Sequence, residues 1–194
     1  MKNRNNICLR AVTLAIMAAC LIATSCKANA QRTMNGQSMV CLEAATSLLR
    51  LRDAGAEICY GQYLLGGYWY AGGGAMWHRV VTTGRSPMSF IDMCASGGYM
   101  HRIFCTRSRN LCLYAGGGAF LGYEIYDPKG DLPTSISTGL PSGTFLYGIT
   151  PRIEVEFFMT GKLALIAGCA AAINFSSPIT KARPRITLGL RANI

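Results

Sequence analysis

Alternation of apolar and polar positions is cleanest in the last fifty residues, Phe145 to Ile194. From Phe145 to Met159 every odd position is apolar apart from a strand proline: Phe145, Tyr147, Ile149, Pro151, Ile153, Val155, Phe157 and Met159. The even positions include Thr150, Arg152, Glu154, Glu156 and Thr160. A period of two held over that length predicts a strand with one face in an apolar medium and the other in a polar one. After the tight Thr160-Gly161-Lys162 turn, the odd positions from Leu163 to Phe175 make a second apolar row, faced by small residues such as Gly168 and Ala172. Beyond Ser176-Ser177-Pro178 the phase shifts: Ala182, Pro184, Ile186, Leu188, Leu190, Ala192 and Ile194 form the apolar row, while Lys181, Arg183, Arg185, Thr187, Arg191 and Asn193 face the other way. Strands of roughly 13 residues exceed the usual soluble length of about 5–6 and suit a tilted membrane crossing of about 9–11.

The earlier chain continues the pattern less regularly. Met39 to Leu51 reads as a strand with Val40, Leu42, Ala44, Thr46 and Leu48 on one face, or else as a short helix; the strand is preferred. Ile58 to His78 holds no Lys, Arg, Asp or Glu, yet its Gly61, Gly66, Gly67, Gly72, Gly73 and Gly74 oppose a stable helix interior. Two strands with a glycine-rich turn or kink between them are expected, and Tyr60, Tyr63, Tyr68, Trp69, Tyr70 and Trp77 resemble the aromatic girdle of a membrane barrel. After the polar loop 79–87, Met88 to Phe104 alternates loosely, and the turn Thr106 to Asn110 leads into an apolar row from Leu111 to Ile125. Asp127 to Gly143, with three prolines, is the longest loop.

The count predicts eight strands, or seven if the first segment is not a strand. Short connections at 106–110 and 160–162 alternate with longer ones at 79–87, 127–143 and 176–181. Outer-membrane barrels have short periplasmic turns and long external loops, which puts both termini in the periplasm. The expected fold is therefore all-β: an eight-stranded antiparallel up-and-down outer-membrane-type β-barrel. A soluble lipocalin-like barrel is the rival, and its dry core would reject Lys181, Arg183, Arg185 and Arg191 on one face of the final strand.

Composition adds the compartment. Only 14% of the 194 residues are charged, against about a quarter in soluble domains. Lys2, Arg4 and Arg10 precede the apolar run Ala11 to Ser25, so residues 1–30 read as a removable secretory signal peptide and 31–194 as one barrel domain. Cleavage after Ala28-Asn29-Ala30 is preferred to the rival cut before Cys26, where Ala23-Thr24-Ser25-Cys26 is a passable lipobox. Losing four basic residues with the leader leaves 15 basic against 9 acidic, a net +6. The basic residues lack the aromatic interleaving of nucleic-acid grooves, so direct DNA binding is not inferred. Of the remaining cysteines, Cys105 and Cys112 flank a turn and could meet; most of Cys41, Cys59, Cys94 and Cys169 read as packed thiols in apolar rows.

Candidate chemistry is sparse. The glycine runs 72–74 and 116–118 do not complete a dinucleotide fingerprint, and Gly161-Lys162 is followed by Leu163 where a phosphate loop needs Ser or Thr. No catalytic, cofactor or metal residues are assigned; His78 and His101 read as interfacial or lumenal polar groups. Arg152, Glu154 and Glu156 face the Arg-rich final strand and are expected to form lumen-filling ion pairs with Arg183 and Arg185, since an eight-stranded barrel is just wide enough to be filled by side chains. Arg107 and Arg109, on a short turn carried by a hairpin, are a candidate binding surface for an acidic partner.

A resemblance joins these elements. Ala71 to Trp77, Cys94 to Met100 with its Gly97-Gly98-Tyr99, Leu113 to Glu124 with Gly118-Ala119-Phe120-Leu121-Gly122-Tyr123-Glu124, and Phe145-Leu146-Tyr147-Gly148 resemble, in order and spacing, the TraO family of conjugative-transposon transfer proteins. The likeness runs from about Tyr63 to Ile194. It implies a non-catalytic accessory of a conjugative DNA-transfer apparatus in the cell outer membrane, with other transfer proteins and outer-membrane lipid as its partners, and carries over no functional residues. A generic small barrel acting as an adhesin or lipid-modifying enzyme is the alternative.

Overall fold

The computed structural model describes residues 35–48, 53–80, 88–126, 143–177 and 181–194. The expected leader, both cleavage positions and nearly all of the loop 127–143 lie outside these residues. Eight strands follow one another: β1 (Ser38–Ser47), β2 (Ala54–Leu64), β3 (Gly67–Val80), β4 (Met88–Cys105), β5 (Leu111–Tyr126), β6 (Gly143–Phe158), β7 (Leu163–Asn174) and β8 (Ala182–Asn193). Each pairs antiparallel with the next, and β1 closes on β8 from Met39↔Asn193 to Ser47↔Arg185, giving a closed up-and-down barrel. Of the segment read as strand or short helix, Met39 to Ser47 is strand, and residues 49–51 lie outside the described residues.

Both described chain ends lie at one rim with the turns at 65–66, 106–110 and 159–162; we call it the terminal rim. The opposite, loop rim carries the longer connections. At the terminal rim, Ile194 N donates to Ser38 O at 2.9 Å and Asn193 N to Lys162 O at 2.7 Å, which ties the last strand into the closure.

Burial is inverted relative to a soluble barrel. Leu42, Ile58, Met93, Leu121, Ile153 and Leu188 are all more than half exposed, whereas Glu43, Glu57, Asp92, Glu124, Glu154 and Arg191 are buried. Neighbouring positions on a strand point to opposite faces, so pairs such as Leu42/Glu43 and Ile153/Glu154 put the hydrocarbon outside and the charge inside. The aromatic residues need a correction to the sequence reading. Tyr60, Trp69 and Trp77 belong to the outer row, but Tyr63, Tyr68 and Tyr70 are buried in the lumen. The two-residue turn at Leu65-Gly66 is the reason: it sets Tyr63 directly opposite Tyr68, and direct cross-strand partners share a face.

Two irregularities mark the wall. The β4–β5 register shifts between Arg102 and Phe104, just before Cys105 and Cys112, which are joined as a disulfide. In β6–β7 the ladder passes from Ile149↔Ile173 to Arg152↔Ala170, interrupted at Pro151, which has no N–H to donate. The glycine runs serve clearance. Gly98 and Gly118 are cross-strand partners, and a Cβ on Gly118 would lie 2.2 Å from Gly97 O and 2.8 Å from the Tyr70 hydroxyl.

Candidate functional site: a charged lumen and a basic rim

The lumen is organised in layers, because alternate residues of all eight strands project into it. Nearest the terminal rim, Arg191 of β8 is 1% exposed. Its Nη2 donates to Glu154 Oε1 at 2.7 Å and to the Tyr68 hydroxyl at 3.0 Å, and its Nη1 to Glu156 Oε1 at 2.9 Å. The guanidinium also lies 4.5 Å from the centre of the Tyr68 ring, a cation–π contact away from water. Tyr68 donates to Glu154 Oε1 at 2.7 Å and Tyr63 to Glu156 Oε1 at 2.5 Å. Arg152 Nη2 bridges Glu43 Oε2, at 2.5 Å, and Glu154 Oε2, at 2.7 Å. Three carboxylates thus share two guanidiniums and two tyrosine hydroxyls, an arrangement tolerable in a dry interior only when the charges are paired and hydrogen-bonded together.

At mid-height, Arg185 Nη2 donates to Glu57 Oε2 at 3.2 Å, and Ser96 Oγ to Glu57 Oε1 at 2.8 Å. Towards the loop rim, Arg183 pairs with Asp92 through Nη1 and with Glu124 Oε2 through Nη2, at 3.1 Å. Its Nη2 also donates to Ser177 Oγ at 2.8 Å. His78 lies between two carboxylates, Nδ1 at 2.9 Å from Asp53 Oδ2 and Nε2 at 3.0 Å from Asp92 Oδ2, and stacks on Phe90 at 4.6 Å. A cavity of about 60 Å³ lies among these mid-height and loop-rim groups, lined by Glu57, His78, Asp92, Ser96, Arg183 and Arg185 among others. That is room for a few waters.

Of the residues read as a lumen cluster, Arg152, Glu154 and Glu156 come together near the terminal rim, while Arg183 and Arg185 pair with Asp92, Glu124 and Glu57 instead. Arg191, Glu43, Tyr63 and Tyr68 complete the layer and were not placed in it by the sequence. A signal existed for Arg191: β6 and β8 both run from the loop rim to the terminal rim, so Glu154, Glu156 and Arg191 all lie in the terminal half of their strands. His101 is exposed on the outer face beside Tyr99, whereas His78 is buried inside.

The turn read as a partner-binding surface closes the β4–β5 hairpin. Thr106 N donates to Leu111 O at 2.9 Å and Arg109 N to Thr106 O at 2.8 Å, with Arg109 in the left-handed region at φ 57°. The Cys105–Cys112 disulfide clamps the base of the turn, and Arg107 and Arg109 are exposed. Each acidic side chain among the described residues is buried in the lumen. Among the described residues the exposed charged side chains of the terminal rim are therefore basic: Arg107, Arg109 and Lys162, with half-buried Arg102 beside them.

A closed eight-stranded up-and-down barrel with charge inside and hydrocarbon outside is an outer-membrane-type β-barrel. The N-terminal β-barrel domain of Pseudomonas aeruginosa OprF is similar at a TM-score of 0.52 and 9% identity, covering 82% of this chain and 98% of that one. Ail, the attachment invasion locus protein of Yersinia pestis, gives 0.48 at 14% identity over 83% of this chain and 100% of its own. Neisserial surface protein A gives 0.49 at 16%, over 81% and 95%. At such identities the likeness is one of fold. No curated protein matches the sequence. Residues 38–194 match the model of the conjugative transposon protein TraO family, and the chain belongs to that family.

Proposed function

We propose that this protein is a non-catalytic outer-membrane component of a conjugative DNA-transfer apparatus, with its terminal rim in the periplasm as the surface that anchors partner subunits. The observation that carries the membrane reading is the inverted burial: Leu42, Ile58, Leu121, Ile153 and Leu188 face outward around a lumen of ion pairs. Trp69 and Trp77 add a scale. Both stand on the outer face of β3, and eight residues at about 3.3 Å, tilted about 40°, span roughly 20 Å, close to the about 25 Å apolar band of such barrels.

The anchoring role rests on the family and on the sorting of charge. With the acids inside, the terminal rim offers Arg107, Arg109 and Lys162 on tight turns, one of them cross-linked at its base. A rigid basic surface selects an acidic partner and speeds the encounter more than it adds affinity. The lumen supports a non-catalytic reading, because both nitrogens of His78 are held by carboxylates and the arginines are engaged by acids.

The test is conjugative transfer from donor cells in which the chain carries Arg107→Glu and Arg109→Glu. Transfer should fall at least ten-fold while the protein stays in the outer membrane with heat-modifiable gel mobility, and trimming loop 127–142 should be tolerated. Transfer indifferent to the turn and abolished by trimming the loop would move the working surface to the cell exterior.

A further inference from the structure

Cys41 and Cys59 face each other across the first hairpin. They are Cα partners in the β1–β2 ladder, both point into the lumen, and both are buried, Cys41 completely. Glu43 is two residues along β1, hence on the same face, and is also buried. The two sulfurs and a Glu43 carboxylate oxygen all lie within 4.8 Å of one another. Cys41 Sγ donates to Glu43 Oε1 at 3.4 Å, while Glu43 Oε2 is held by Arg152 at 2.5 Å. The carboxylate is thereby turned with one oxygen towards the thiols. The neighbouring strands approach closely because their facing positions are glycines: a Cβ on Gly72, the partner of Cys59, would lie 2.6 Å from Cys59 Cβ, and one on Gly189, the partner of Glu43, 2.8 Å from Glu43 Cγ.

Two thiols and a carboxylate oxygen that converge in this way are donors for a borderline-soft cation, not for a hard one such as calcium or magnesium. We infer that Cys41, Cys59 and Glu43 form a binding site for a thiophilic divalent ion, and zinc is the ion whose donor preferences they meet. Zn–S bonds of about 2.3 Å and Zn–O bonds of about 2.0–2.2 Å put tetrahedral donor atoms roughly 3.5–3.8 Å apart, so the cluster closes by about 1 Å at most on binding. The two thiols lose their protons, two Zn–S bonds form, and two protons leave for solvent. The ion's two positive charges are matched by two thiolates. The net charge of the lumen is unchanged, and Glu43 Oε2 keeps its bond to Arg152.

All three donors come from one hairpin, so the site can assemble before the barrel closes and seals it. Its effect is on register. A slip of one residue between β1 and β2 would send Cys41 and Cys59 to opposite faces, so a bound ion holds β1 in the one register from which it can close on β8. The Cys105–Cys112 pair, also direct cross-strand partners, is a disulfide at the terminal rim instead.

The experiment uses the full chain without its leader, folded in detergent under reducing conditions and titrated with zinc against a chromophoric chelator. One equivalent should survive gel filtration, two protons should be released per ion, and cadmium in place of zinc should give a thiolate charge-transfer band. Cys41→Ser and Cys59→Ser should each abolish the band and retention, and Glu43→Gln should weaken binding ten-fold or more. As a readout that needs no variant to fold, zinc should protect Cys41 and Cys59, and not Cys169, from alkylation in the unaltered protein. Retention of zinc equally by Cys59→Ser, absence of stoichiometric binding, or recovery of a Cys41–Cys59 disulfide by non-reducing peptide mapping of protein from native membranes would each overturn the inference.

Discussion

Replacing Arg191 by Met removes a guanidinium that is 1% exposed and joined to Glu154, Glu156 and Tyr68, while keeping the volume of the side chain. Glu154 would still have Arg152 at 2.7 Å. Glu156, fully buried, would have no guanidinium among its described partners and would depend on tyrosine hydroxyls such as that of Tyr63, with Oε2 already unpaired. Breaking a buried pair from one side leaves an uncompensated charge and costs about 3–5 kcal/mol. Arg185→Met is the internal control, since that side chain is 19% exposed and makes a single bond of 3.2 Å to Glu57, which keeps Ser96. Its loss should cost about 1–2 kcal/mol. Adding Glu156→Gln to Arg191→Met should recover at least half of the deficit, because the orphaned charge is gone. The assay is urea unfolding of protein folded into lipid vesicles, followed by the emission of Trp69 and Trp77 and extrapolated linearly to zero denaturant. An Arg191→Met deficit no greater than that of Arg185→Met, or no recovery in the double variant, would refute a lumen held together by this layer.

Gly118→Val should abolish folding to the heat-modifiable form, since a Cβ there meets Gly97 O at 2.2 Å, whereas Gly73→Ala, on the outer face with its nearest neighbour at 3.4 Å, should fold normally. Leu188→Arg, at an outward position midway along β8, should destabilise the barrel in vesicles by about 2–4 kcal/mol. Removing the Cys105–Cys112 link as a double Ser variant should leave the barrel folded but expose the Arg107 and Arg109 peptide bonds to trypsin, which the intact turn should resist on the same timescale.

Strand number and facing were legible because a barrel wall between lipid and a polar lumen imposes period two on the sequence, and the row from Phe145 to Phe157 carries that constraint undiluted. The aromatic residues of β2 and β3 misled where the pattern had no charges to set its phase. Tyr63, Tyr68 and Tyr70 read as girdle, yet the turn at 65–66 turns them inward, where the Tyr63 hydroxyl serves Glu156 and the Tyr68 hydroxyl Glu154. Lumen pairing was less legible still. Alternation gives the face of a residue but not its height across a tilted barrel, so Arg183 and Arg185 were grouped with Glu154 and Glu156 although Arg183 lies towards the loop rim with Asp92 and Glu124 and Arg185 at mid-height with Glu57. Cys41 and Cys59 read as packed thiols. Their opposition across β1–β2 depends on the hairpin register, which the weak alternation before Tyr63 does not specify.

The inside-out barrel is tested most directly by quenching of single tryptophans with brominated lipids. In vesicles, Trp69 and Trp77 should be quenched most by bromines near the headgroups. In a background with both replaced by Phe, Ile153→Trp should be quenched most by bromines deep in the chains, and Phe120→Trp, facing the lumen, should be quenched by neither. Equal quenching of the Ile153 and Phe120 variants, or no quenching of Ile153→Trp by any lipid, would contradict the account.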